Sequence, residues 1–156
     1  MAQTRKLSES VHVAPQLVEA DFAEIANTGF KAIVCNRPDG EDDVQLSSGR
    51  AQELARMYGL EFRYQPVVGF DVTEDDAVDM FDRLASELPG PVLFYCRSGT
   101  RCTILWAQAN APRLGAQTVI ETARLAGYDI STVADVIEER AQVGAIDDLP
   151  AETIAA

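Results

Sequence analysis

At 156 residues the chain has the length of one compact domain with a real core. Its 25 acidic residues against 13 basic ones leave a net charge of -12, which on average repels nucleic acids and acidic membrane surfaces. Three cysteines are too few for a disulfide scaffold, no run approaches transmembrane length, and Met1–Lys6 leads into no long apolar stretch, so the expected setting is cytoplasmic, with no signal peptide.

The elements alternate. Ser10–Ala14 predicts a first strand. Val18, Phe22, Ile25 and Ala26 at helical spacing predict a helix closed by Gly29. Phe30–Cys35, mostly apolar, predicts a strand buried on both faces, followed by a loop at Asn36–Glu41. Ser47 or Ser48 is placed to cap a helix carrying Ala51, Leu54, Ala55 and Tyr58 inward, stopped by Gly59. Phe62–Val68 predicts a third strand and Gly69–Val72 a loop. Thr73 with Asp76 resembles a capping box for a helix burying Ala77, Phe81, Leu84 and Leu88. After the break at Pro89–Pro91 come a strand at Val92–Tyr95 and a helix from Cys102 to about Ala111, apolar nearly all round and therefore central. Two more helices bury Val119, Ile120 and Ala123, and then Val133, Val136 and Ile137 from a start at Ser131. Residues 143–156 read as an acidic, loose tail after a domain spanning 1–142. Strands alternating with helices predict a single three-layer α/β domain with a mostly parallel sheet. In such sheets ligands bind beyond the carboxyl ends of the strands, where Cys35–Arg37, Asp71 and Cys96–Arg101 should gather.

The chemistry concentrates at Cys96-Arg97-Ser98-Gly99-Thr100-Arg101, between a buried strand and a helix start. Inward N–H groups and the positive end of the helix dipole favour a thiolate at Cys96, and the thiolate is the nucleophile. Gly99 permits the positive φ that a tight anion nest often needs. Ser98 and Thr100 offer further donors, and Arg101 a planar fork suited to an oxyanion. Arg97 should point outward and draw anions to the mouth. Asp71, in a loop after the third strand, is the candidate general acid; its alternative is to decorate a helix N-terminus with Asp75 and Asp76. Arg37 either meets an anionic substrate or pins its loop through Asp39 or Glu41. Cys102 is a resolving thiol or a small buried packing residue; Cys35 and Trp106 read as core and His12, the one histidine, as structural. His and Cys lack the spacing of a metal site, and no cofactor-binding fingerprint is present, so no metal and no cofactor are expected.

The loop Cys96–Arg101 after an apolar strand resembles the active-site loop shared by rhodaneses and cysteine-dependent phosphatases. Together with Asn36-Arg37-Pro38-Asp39-Gly40-Glu41 it resembles the phosphatase-like domain of the beta-lactamase-hydrolase-like family over roughly residues 5–140, a family whose members are also described as sulfur transferases. The resemblance implies a dual-specificity-phosphatase-like fold, an anion-cradling loop at Cys96–Arg101, and substrate contacts from Asn36 and Arg37. It also implies that Asp71 sits where related phosphatases keep their proton donor. Relatives fused to a persulfide dioxygenase hint at sulfide metabolism. The chain departs from the phosphatase pattern in having four residues rather than five between Cys96 and Arg101, Tyr95 where a histidine is usual, and Cys102 where Ser or Thr is usual. A four-residue loop is the rhodanese length, and its smaller cradle suits a sulfane sulfur better than a tetrahedral phosphate. The leading expectation is therefore transfer of sulfane sulfur through a Cys96 persulfide to an acceptor thiol or persulfide-handling protein. The alternative is hydrolysis of phosphomonoesters through a Cys96 thiophosphate, and a third reading is a silent anion-binding or redox-sensing domain.

Overall fold

The computed structural model describes residues 2–147. Its centre is a five-stranded sheet in the order β1 (Arg5–Lys6), β2 (Val11–Ala14), β5 (Val92–Tyr95), β3 (Ala32–Cys35), β4 (Glu61–Tyr64). All neighbours are parallel except β1, an antiparallel edge that the sequence pattern did not show. The expected three-layer α/β architecture is present. On one face lie α1 (Asp21–Asn27) and α2 (Ser48–Met57); on the other lie α3 (Asp75–Glu87), α4 (Thr100–Leu114), α5 (Ala116–Leu125) and α6 (Ala134–Asp147). Among the described residues no helix is long and apolar enough to cross a membrane.

The strand period of two sorts the sheet between these layers. Val92 and Phe94 of β5 and Ala32 and Val34 of β3 join the core under α3–α6, while Leu93, Tyr95, Ile33 and Cys35 join the core under α1 and α2. Extending the alternation by one residue puts Cys96 on the α4 side, away from Cys35 and Tyr95. Register completes the placement. Ala14, Tyr95, Cys35 and Tyr64 lie abreast at the ends of their strands, so residues 15–16, 96–97, 36–37 and 65–67 leave the sheet along one rim.

Several local expectations are corrected. The first helix begins at Asp21, so Val18 lies outside it and is exposed; its N–H donates to Asp21 Oδ2 (2.8 Å). Ser47, rather than Ser48, caps α2 by accepting from the Arg50 N–H, and Tyr58, just past the helix end, faces solvent. The third strand is shorter than Phe62–Val68 and largely exposed, because it is a sheet edge. Thr73 and Asp76 form no capping box: the residue before α3 is Glu74, without a side-chain cap bond, and Asp75 and Asp76 occupy the first turn, where the dipole favours them. Helix α4 starts at Thr100, two residues before the expected Cys102 and directly after Gly99. α6 runs on to Asp147, five residues past the expected domain end; its Gly144 meets Pro112 of α4 so closely that a Cβ there would overlap the proline ring. The rest of the expected tail lies outside the described residues.

Trp106, 2% exposed, anchors α4 between the sheet and its neighbouring helices, as expected for core. Trp106→Ala should cost about 3–5 kcal/mol, because a large cavity in a close-packed interior collapses only partly. Thermal or denaturant unfolding checks it; a loss below about 1 kcal/mol would mean that the site closes around the gap.

Candidate active site

Cys96 follows β5 directly and has no exposed surface. Gly99 takes φ +95°, and the turn it makes directs its N–H at Cys96 Sγ (3.1 Å). The first turn of α4 leaves backbone N–H groups without helical partners, and that of Cys102 serves the same sulfur. These contacts pull the Cys96 thiol down to about 6. The largest cause is the hydrogen bond from the Cys102 thiol, followed by the N–H groups of Cys102 and Gly99 and the Arg101 charge, against an opposing push from burial. Cys102 moves the other way, well above the ordinary thiol range, because it is fully buried beside that anion. Cys96 is thus the ionised member of the pair and Cys102 its proton-bearing donor. The Cys102 thiol also lies 3.3 Å from Asn36 Oδ1, but donation to an anion is the stronger bond. Cys35, on the opposite face, has its thiol pushed up by burial and donates to the Arg37 carbonyl (3.3 Å).

Arg101 crosses the rim. Its Nη1 donates to Glu41 Oε2 (2.9 Å) and to the Val67 carbonyl (3.0 Å), and its Nη2 to Glu41 Oε1 (2.8 Å). Three of the guanidinium's five N–H groups are thereby used, and the Nε–H and one Nη2–H remain for a ligand. Glu41 also accepts from Arg37 Nε (3.0 Å), so one carboxylate bridges two arginines. The Arg101 hydrogen bond foremost, with Arg37, holds Glu41 down to about 2. A group so acidic donates no proton near neutrality. Arg37 is 3% exposed, and its Nη1 donates to Gln16 Oε1 (3.0 Å). Of its two expected roles the structure shows the pin, through Glu41 rather than Asp39.

Asn36 is buried: its N–H donates to Tyr95 O, Nδ2 to Gln65 O, its carbonyl accepts from Val67 N–H, and Oδ1 lies 3.3 Å from the Cys102 sulfur. It ties the ends of three strands together at the rim. Ser98 and Thr100 bond each other through their hydroxyls (2.9 Å), Arg97 is exposed as expected, and its carbonyl accepts from Gln16 N–H (3.1 Å). Asp71 ends a 3-10 turn at Gly69–Asp71, exposed, in a groove it shares with Val67, whose carbonyl holds Arg101. No contact joins Asp71 to Cys96 among the described residues. Tyr95 is buried on the far side of the sheet beside Cys35, so it does not replace a histidine at the nucleophile. Glu41, Gln16 and Tyr128 complete the site without having been singled out as ligating residues. Only Glu41 carried a signal, its spacing four residues after Arg37.

The family model described as beta-lactamase hydrolase-like protein, phosphatase-like domain matches residues 3–113. The chain is 30% identical to a beta-lactamase hydrolase-like protein of Xylella fastidiosa (strain 9a5c) over 137 residues, 86% of this chain and 32% of that protein. It is 28% identical to a protein of the same name from Agrobacterium fabrum, with the same coverage of each. The chain therefore spans about a third of the length of the curated relatives it matches. Among solved structures, a candidate phosphatase of Neisseria meningitidis superposes with TM-score 0.81 at 33% identity, over 87% of this chain and 96% of that one. TpbA of P. aeruginosa shares the fold at 18% identity, with TM-score 0.60 over 92% and 96% of the two chains.

Proposed function

This chain belongs to the phosphatase-like domain family of the beta-lactamase hydrolase-like proteins, and on that footing we propose that it hydrolyses small phosphomonoesters through a covalent Cys96 intermediate. The coarser statement, a cysteine-based domain of phosphatase type, rests on the family match and on the Neisseria relative. The observation that carries the finer one is the buried Cys96 sulfur, which accepts from the Gly99 and Cys102 N–H groups, with the Arg101 charge favouring its ionised form.

In the first step the thiolate attacks phosphorus. An S–P bond forms, the P–O ester bond breaks, and the leaving oxygen takes a proton from water or an acid. The loop N–H groups and the free edge of Arg101 stabilise the equatorial oxygens. Water then cleaves the S–P bond, releasing phosphate and restoring the thiolate. In this reading the proton comes from Asp71, which is supported by its position in the groove beside Val67, whose carbonyl holds Arg101. Aryl phosphates leave without that help and alkyl phosphates do not, so Asp71→Asn should slow an alkyl phosphate by about 10²–10³-fold and an aryl phosphate far less. Equal effects on both would remove Asp71 from the mechanism.

A second reading, sulfur transfer, is supported by the short loop of four residues between Cys96 and Arg101. The thiolate would attack the outer sulfur of a sulfane donor such as thiosulfate, and the S–S bond would break with sulfite taking the electron pair. An acceptor thiolate would then remove the sulfur from the Cys96 persulfide. Intact mass separates the readings: a phosphoryl adduct trapped by acid quench during aryl phosphate turnover supports hydrolysis. One added sulfur after thiosulfate, absent in Cys96→Ser, with no phosphoryl adduct, overturns it in favour of transfer.

A further inference from the structure

Tyr128 lies in the connection between α5 and α6, well away from the nucleophile loop in sequence. Its N–H donates to the Ala123 carbonyl (2.9 Å), and its ring is half-buried against the core beneath α3–α6. From that anchored position its hydroxyl donates to the Ser98 carbonyl (3.2 Å). The carbonyl belongs to the same peptide unit as the Gly99 N–H, and that N–H donates to Cys96 Sγ. In a trans peptide the C=O and N–H point in opposite directions. Among the described residues the single cis peptide is Gly90–Pro91, so the Ser98–Gly99 unit is trans and spans hydroxyl to sulfur.

We infer that Tyr128 is a positioning residue for the nucleophile: by holding the Ser98 carbonyl outward it fixes the Ser98–Gly99 peptide with its N–H on the Cys96 sulfur. Rotation of that peptide would turn a carbonyl dipole toward the sulfur and surrender both hydrogen bonds. Holding one end also polarises the other, since linked hydrogen bonds strengthen one another. The hydroxyl stays a donor, because burial foremost, and then the Cys96 charge, pushes the phenol up from its ordinary range. The contact also explains the residue at 99. A Cβ there would overlap the Tyr128 hydroxyl, so glycine is required by the roof as well as by its positive φ.

The inference rests on the proposed role of Cys96 as a thiolate nucleophile, but not on which group it transfers. The test is the pH dependence of Cys96 alkylation in the full chain, with Tyr128→Phe, which keeps the ring and removes the donor, and Tyr58→Phe, an exposed tyrosine outside the site, as control. In Tyr128→Phe the alkylation midpoint should rise by about half to one pH unit, and the acid limb of kcat/KM with it. Hydrogen exchange at the Gly99 amide should also quicken. Tyr58→Phe should change none of these. An unmoved midpoint with unchanged Gly99 exchange overturns the positioning role. A native midpoint at that of free cysteine would instead overturn the thiolate reading itself, so the two failures are told apart.

Discussion

Cys96→Ser should reduce turnover of any substrate by at least about 10⁴-fold, because a serine hydroxyl in the same cradle remains protonated and forms no comparable intermediate. The titration of the native thiol is the more diagnostic half of the result. Alkylation of Cys96 should rise along a midpoint near 6, whereas an ordinary cysteine has a midpoint of about 8.5. The sign for stability follows from the depressed value. Between pH about 6 and 8.5 the unfolded chain holds a proton at Cys96 that the folded chain has lost, so folding is favoured increasingly as pH rises through that window. The contribution is complete above it and gone below it. Cys96→Ser should flatten this slope, which denaturant unfolding at several pH values reads directly. A slope equal to that of the native chain would mean that the ionised sulfur is not part of the folded state.

Arg101→Ala should lower kcat/KM by about 10²–10³-fold, the scale of losing a preorganised donor to a developing anion. Arg101→Lys should recover little of it. A lysine ammonium is a single point of charge, whereas the guanidinium grips both oxygens of Glu41 and the Val67 carbonyl and still keeps a free edge. Removal of Arg101 also frees Glu41, whose carboxyl should climb from about 2 toward the ordinary range with Arg37 as its remaining partner. The Cys96 midpoint should rise only modestly, because the Arg101 charge ranks behind the Cys102 thiol and the two N–H groups among the groups that lower it. Steady-state kinetics and alkylation on the same two variants check both statements. Wild-type kcat/KM in Arg101→Lys would show that charge alone, without the fork, serves the site.

The Cys102 thiol illustrates how far local pattern reaches. In the linear chain its position favoured simple packing over a role at the nucleophile. The fold makes it the largest single influence on Cys96, because α4 begins at Thr100 and presents both its thiol and its N–H to the sulfur. Cys35, read from the sequence as core, lies on the other face, where strand alternation sends it. Asn36 and Arg37 were legible as rim residues, since both follow a buried strand, but their tasks were not. Whether a buried amide binds a ligand or knots three strand ends depends on partners 29 and 66 residues away.

The chain alone determined the alternating α/β architecture and marked Cys96 as the candidate nucleophile, with the loop that carries it. Those features are written in periodicity, in apolar runs and in the residue types of one contiguous segment, all of which act over a few positions. Only the tertiary structure decided which thiol stands beside Cys96, that Glu41 sits between Arg37 and Arg101, and that Tyr128 roofs the loop. These depend on strand register, on the face each strand residue takes, and on where a helix begins by a residue or two. Hydrogen bonds near 3 Å are decided by such small displacements, and local sequence does not encode them.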